Sequence, residues 1–267
     1  MALSADELAA DLRAESDDLI AVLAPLRDED WLTPTPAENW SIADQVTHLA
    51  YFDEITVLAC TDPEQFGVRA KEHMAMGMGF PDRVAEDHRH LTGTQILSWF
   101  REARAALVEA CLRTDLSQRY PWYGPAMGGV SLFTARIMET WAHGQDVYDA
   151  LGVTPKPTGR LRHVAHIGIG ARAYSYMARG LEVPAAPIRV ELTAPDGSLW
   201  TWGPEDAENR VTGDAYEFCR VVTQRQNIAD TSLKTEGNDA VGWMSIAQAF
   251  AGAATDGRPA RNELEPA

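Results

Sequence analysis

The sequence predicts a mainly α protein: an N-terminal four-helix bundle with a crossover connection over residues 1–157, then a smaller α+β domain over 158–255 and a flexible tail over 256–267. Three observations predict it. Four long stretches carry apolar residues at helical spacing. The second and third of them are separated by residues 61–92, an irregular run too long for a tight turn and suited to a crossover. Beyond residue 158 the apolar period changes to two on either side of a Pro-Asp-Gly turn.

The first helix opens at Ser4, where Ser4-x-x-Glu7 forms a capping box, and Leu8, Leu12, Leu19 and Leu23 carry it to about Leu26. A polar stretch with two prolines, Thr33–Asn39, breaks the pattern. Ser41 caps a second helix over 41–60, with Ile42, Val46, Leu49, Phe52 and Ile55 as its apolar positions. Short helical pieces are allowed within the 61–92 connection. A third helix spans 93–113 through Ile96, Phe100 and Leu107. The run RYPWYGPAMGG then reads as a shaped loop. Ser131 is the expected cap of a fourth helix over 131–151, which Gly152 and Pro155 end. In the second domain a helix over 159–179 precedes the hairpin IRVELTAPDGSLWTWG. Helices near 214–226 and 239–251 follow, with short strands at Asn209–Thr212 and Ser232–Thr235.

The formal net charge is −16 over 267 residues, and no Lys/Arg run offsets it locally. Long-range repulsion therefore excludes nucleic acid and anionic membrane surfaces as expected partners and leaves small molecules. Cys60, Cys111 and Cys219 are odd in number and widely spaced. That argues for a reducing, cytoplasmic setting and against a thiolate zinc site. The N-terminus lacks the basic start and apolar stretch of a signal peptide. No run approaches the roughly 18 apolar residues of a membrane span.

His48 and His143 are the two histidines inside the predicted bundle helices, and Glu139 lies four residues before His143. On a helix, i and i+4 share a face. The stripe holding Leu132, Ala135, Glu139 and His143 carries apolar members that point it inward. An inward carboxylate needs a partner, because unpaired it costs several kcal/mol or neutralises itself. A cation supplies one. Two neutral imidazoles and one carboxylate suit Zn²⁺ with an open fourth position, and the same trio describes non-haem Fe(II) sites. A plain Glu–His surface pair with a separate core histidine is the structural alternative.

The segment Pro36-Ala-Glu-Asn-Trp40-Ser41-Ile-Ala-Asp44-Gln-Val-Thr-His48-Leu49 resembles the second-helix motif of the mycothiol-dependent maleylpyruvate isomerase N-terminal family, within the DinB-like metalloproteins. Glu139-Thr-Trp-Ala-His143-Gly-Gln-Asp146 through Gly152 resembles its fourth-helix motif. The resemblance covers about residues 5–155 and implies a four-helix bundle with a crossover, with metal ligands at His48, Glu139 and His143. The stretch Leu233–Gly237 through Trp243 to Gly252 is similar, more loosely, to the sterol-carrier-like domain appended in such proteins. The resemblance further implies mycothiol as cosubstrate and an arginine of the second domain in the site, for which Arg225 is the nearer match and Arg220 the other. From the residues alone, Trp122 and Tyr123, with Tyr120, are candidates for the wall of a substrate pocket, and a loop anchored by aromatics is the alternative. Asp146 is a candidate outer partner for a ligand imidazole. His73, His88 and His90 read as surface histidines. The expected activity is thiol-dependent isomerisation or transfer on a small electrophile. A metal-dependent hydrolase and a non-catalytic metal-binding module with an apolar-ligand domain are the other open readings.

Overall fold

The computed structural model describes residues 3–264. The chain divides after Pro155 into two compact units.

In the first unit, α1 (Ala5–Leu23), α2 (Ile42–Thr61), α5 (Gly93–Arg113) and α6 (Gly129–Leu151) form the bundle, with α3 (Pro63–Ala75) and α4 (Phe80–His88) in the crossover. Both α1 and α2 pack against α5 and α6. Three helix starts carry reciprocal capping boxes: Ser4 with Glu7, Ser41 with Asp44, and Thr92 with Gln95. Each satisfies two backbone donors that a helix N-terminus otherwise leaves open, and such a cap contributes about 1 kcal/mol. Asp44 also accepts from Arg89 Nε at 3.0 Å, which ties the end of the crossover to the start of α2.

Ser131 does not cap α6. The helix begins at Gly129, with Gly128 as its N-cap. A two-residue ladder causes the shift: β1 (Arg119–Tyr120) pairs antiparallel with β2 (Met127–Gly128) and delivers the chain into the helix early. Gly129 lies so close to Leu116 that a Cβ would come within 2.7 Å of its Cα. Gly152 ends α6 as expected, at φ +65°, where the left-handed turn lets the Val153 N–H reach the Tyr148 carbonyl at 3.0 Å.

The bundle core is apolar, built on residues such as Leu19, Val46, Leu49, Phe100 and Val147 at one end and Leu8, Leu12, Leu107, Phe133 and Ile137 at the other. One charged network crosses it. Asp53, fully buried on α2, accepts from Arg104 Nε of α5 at 2.6 Å and from Arg136 Nε of α6 at 3.1 Å. Arg104 also donates to Ser16 of α1 and Thr140 of α6, at 2.7 and 2.8 Å. All four bundle helices thus meet on one guanidinium–carboxylate cluster.

The second unit is α+β. The helix expected over 159–179 is two, α7 (Leu161–Gly170) and α8 (Arg172–Met177). Gly168 and Gly170 lower helix propensity where it breaks. A mixed sheet follows in the order β4-β3-β5-β6, formed by β3 (Ile188–Thr193), β4 (Leu199–Trp202), β5 (Asn209–Asp214) and β6 (Lys234–Glu236). The β3–β4 pair is the expected hairpin, while β3 and β5 run parallel. Helix α9 (Ala215–Val222) is capped by Asp214, whose carboxylate accepts from the Tyr216 and Glu217 N–H groups. Helix α10 (Asn238–Ile246) stops short of the expected residue 251. Part of the segment expected as a tail is tied down. Ala260 is buried, the Arg258 carbonyl accepts from Asn227 at 3.0 Å, and a last turn, α11, covers Arg261–Leu264. Residues 265–267 of that expected tail lie outside the described residues. Among the described residues no helix is long and apolar enough to cross a membrane.

Candidate metal centre

Helices α2 and α6 bring His48, Glu139 and His143 together. One potential ligand atom from each lies within 4.8 Å of the others. His143 Nε2 is 3.1 Å from Glu139 Oε2, and His48 Nε2 is 3.6 Å from the same oxygen. The side chains are 12–19% exposed, so the cluster is sheltered but reachable.

The hydrogen-bond chain behind the cluster sets its protons. The Thr35 hydroxyl donates to the Trp40 carbonyl at 2.8 Å, and Gln45 Nε2 donates to Thr35 Oγ1 at 2.9 Å. Gln45 is thereby oriented with Oε1 toward His143, where it accepts from Nδ1 at 2.5 Å. An amide oxygen only accepts, so Nδ1 carries a hydrogen, and the neutral tautomer that this bond selects turns an Nε2 lone pair on Glu139. Burial lowers the His48 pKa from 6.5 to about 3, helped by the neighbouring His143, which keeps the His48 imidazole uncharged. Burial pushes the Glu139 carboxyl up, but the two neighbouring imidazoles outweigh it and hold the group well below the usual range. A lone pair facing a carboxylate oxygen at 3.1 Å asks for a cation between them. This donor set and these protonation states fit a divalent ion such as zinc.

Aromatic rings wall the cluster. Trp40 lies 5.5 Å from the His48 ring and stacks at 5.9 Å on His143, while its indole N–H donates to Asp82 of α4 at 2.8 Å. Phe52 sits one turn beyond His48, with the rings 4.5 Å apart. Tyr123 contacts Phe52 at 6.1 Å, and Trp122 stacks on Phe66 at 5.9 Å. These two candidates for a pocket wall therefore join the aromatic group that reaches the candidate ligands.

Other expected residues fall differently. Asp146 is buried on α6, but the outer partner of His143 is Gln45. His73 is not a surface histidine: it is 2% exposed, with both ring nitrogens bonded to tyrosines. Arg225 lies in the second unit, where it donates to the Thr223 carbonyl at 2.6 Å and sits 5.9 Å over the Phe250 ring. Gln45 was visible in the sequence as a polar residue three before His48, on the same helical face, but an amide there reads equally as a solvated position.

Fold and site together define a helical-bundle protein with a two-histidine, one-carboxylate candidate metal centre. Comparison with known proteins is more specific: the chain belongs to the mycothiol maleylpyruvate isomerase N-terminal domain family, whose model matches residues 12–148. A second model, described as wyosine base formation, matches residues 184–233. Two uncharacterized proteins of Mycobacterium tuberculosis, from strains CDC 1551 and H37Rv, are each 44% identical over 249 residues, covering 93% of this chain and 97% of the relative. Two crystal structures of a mycothiol-dependent maleylpyruvate isomerase, one of them of a histidine-to-alanine mutant, share the fold. Their TM-scores are 0.58 and 0.60 at 16% identity, over 89% of this chain and 96% of theirs.

Proposed function

We propose that the chain is a metal-dependent enzyme that works with a low-molecular-weight thiol, mycothiol or a close analogue, to isomerise or transfer that thiol to a small electrophilic substrate. The observation that carries this reading is the convergence of His48, Glu139 and His143 from two helices onto one point, with acceptors rather than donors facing inward. Family membership supports the thiol and the reaction class.

On this reading His48, Glu139 and His143 hold the ion, and zinc suits two imidazoles and one carboxylate with a position left open. A bound zinc supplies a Lewis acid that lowers the pKa of a thiol sulfur, so that the thiolate is available at neutral pH. Gln45 fixes the His143 tautomer, and Trp40 and Phe52 exclude water from the two imidazoles. Trp122 and Tyr123 contribute to the wall that a substrate meets. The resemblance makes Arg225 the candidate to bind a substrate carboxylate.

Elemental analysis of the purified protein tests the foundation. Wild type is expected to carry about one divalent ion per chain, and His48→Ala to lose it. Wild type that takes up no ion from a zinc-supplemented buffer ends the proposal. Turnover of maleylpyruvate with and without mycothiol then tests the dependence on thiol.

A further inference from the structure

Tyr51, His73 and Tyr123 form a half-buried chain beside the candidate metal centre that the preceding reading leaves unexplained. Tyr51 Oη lies 2.6 Å from His73 Nε2, and Tyr123 Oη lies 2.6 Å from His73 Nδ1. The imidazole plane is held by Phe80, stacked on it at 4.9 Å and 4°. The three groups come from α2, α3 and the loop between β1 and β2, so the contact is built from distant parts of the chain.

Counting protons defines what this chain offers. Two phenols and one neutral imidazole own three hydrogens, and two internal hydrogen bonds use two of them. One phenolic O–H is therefore left over, at whichever end accepts from the imidazole. Burial, with Arg69 nearby, lowers the His73 pKa, and Glu72 opposes this more weakly, so the ring is neutral at pH 7. Burial raises the Tyr51 pKa, and Arg69 opposes this ahead of the contributions of Glu54 and Glu72. At Tyr123 no such cation opposes burial, so Tyr51 is the more acidic of the two phenols and the better donor to Nε2. The imidazole hydrogen then sits on Nδ1 and donates to Tyr123, whose own hydrogen is the free one. Burial raises the Tyr123 pKa, so this phenol keeps its proton and acts as a donor rather than a base.

Tyr123 stands where such a donor is useful. Its ring contacts Phe52 and Phe80, at 6.1 and 5.1 Å, and Phe52 contacts the His48 imidazole. We infer that Tyr123 presents its phenolic hydrogen to an oxygen of the substrate that becomes anionic, and that His73 is the positioning residue that frees that hydrogen. On the thiol-dependent reading above, that oxygen belongs to a carbonyl conjugated to a carbon–carbon double bond. The inference rests on the thiol-dependent reading above. Thiolate addition forms a C–S bond and moves the π electron pair onto the carbonyl oxygen, which accepts the Tyr123 hydrogen bond. The former double bond rotates, the pair returns, the C–S bond breaks and thiolate departs. Tyr123 stabilises the oxyanion throughout and retains its proton.

Two measurements test this. In ¹⁵N-histidine-labelled protein at neutral pH, with His73 assigned from His73→Gln, the expected signals are a protonated Nδ1 and a bare Nε2. A protonated Nε2, alone or in an imidazolium, overturns the inference, because Tyr123 then has a different proton inventory. With maleylpyruvate and mycothiol as probes, Tyr123→Phe keeps the ring contacts and is expected to lower kcat about 100- to 1,000-fold, with KM and metal content unchanged. His73→Leu should share much of that loss, and His73→Gln, whose amide can still donate to Tyr123, should recover most of it. Full kcat in Tyr123→Phe overturns the inference. Wild type inert toward maleylpyruvate with mycothiol defeats the thiol-dependent reading itself and this chemistry with it, whereas active wild type with an indifferent Tyr123→Phe defeats only the present inference.

Discussion

Gln45 shows how much of the proposed metal site rests on a side chain outside its ligand set. Its amide is locked by Thr35 on one side and so can only accept from His143 on the other. Replacing it with leucine keeps the approximate volume but removes the acceptor. Nδ1–H then loses its partner, and the imidazole is free to rotate or change tautomer. Gln45→Leu is expected to weaken metal binding about 10- to 100-fold, the usual cost of losing an outer partner. Competition against a chromophoric chelator measures it, and circular dichroism checks that the helices persist. Phe52 and Trp40 act differently, by desolvation: they pack on the imidazoles and help keep His48 uncharged.

At the scale of elements, α2 and α6 are joined by charge as well as by apolar packing. Asp53 binds Arg136 on the opposing helix and Arg104 on α5, all three nearly inaccessible. Asp53→Ala would leave two guanidinium groups without their carboxylate in the core, and is expected to destabilise the protein by about 3–5 kcal/mol. Urea titration of the metal-free protein, followed by helical ellipticity, reads this directly. None of this network was legible in the sequence. An aspartate and two arginines scattered over three helices look like solvated positions until the helices are placed, because charge pairing across a core has no periodic signal. The bundle helices themselves were legible, since caps such as Ser41/Asp44 and stripes such as Ile42, Val46 and Leu49 are local properties. His48, Glu139 and His143 were singled out because i,i+4 spacing and an inward stripe can be read residue by residue. His73 was not, because what buries it, Tyr51 and Tyr123, comes from elsewhere in the chain. Ser131 misled as a cap because the β1–β2 ladder, too short to show a period, sets where α6 begins.

For the whole molecule, a ligand that binds only the folded chain adds to its stability by mass action. Zinc held at about 100 times its dissociation constant is expected to raise the unfolding free energy by about 2.7 kcal/mol. Differential scanning calorimetry with and without chelator measures the shift, and His48→Ala should abolish it. The same arrangement has a consequence for synthesis. Two of the candidate ligands reside on the last helix of the bundle and the third on its second helix, with the entire crossover and α5 in between. A nascent chain that has emerged only as far as α5 owns a single imidazole from the set and retains no ion. On the proposed ligand set, capture of the cation waits until α6 has left the ribosome and docked, so that metal content would report on a completed, correctly registered bundle.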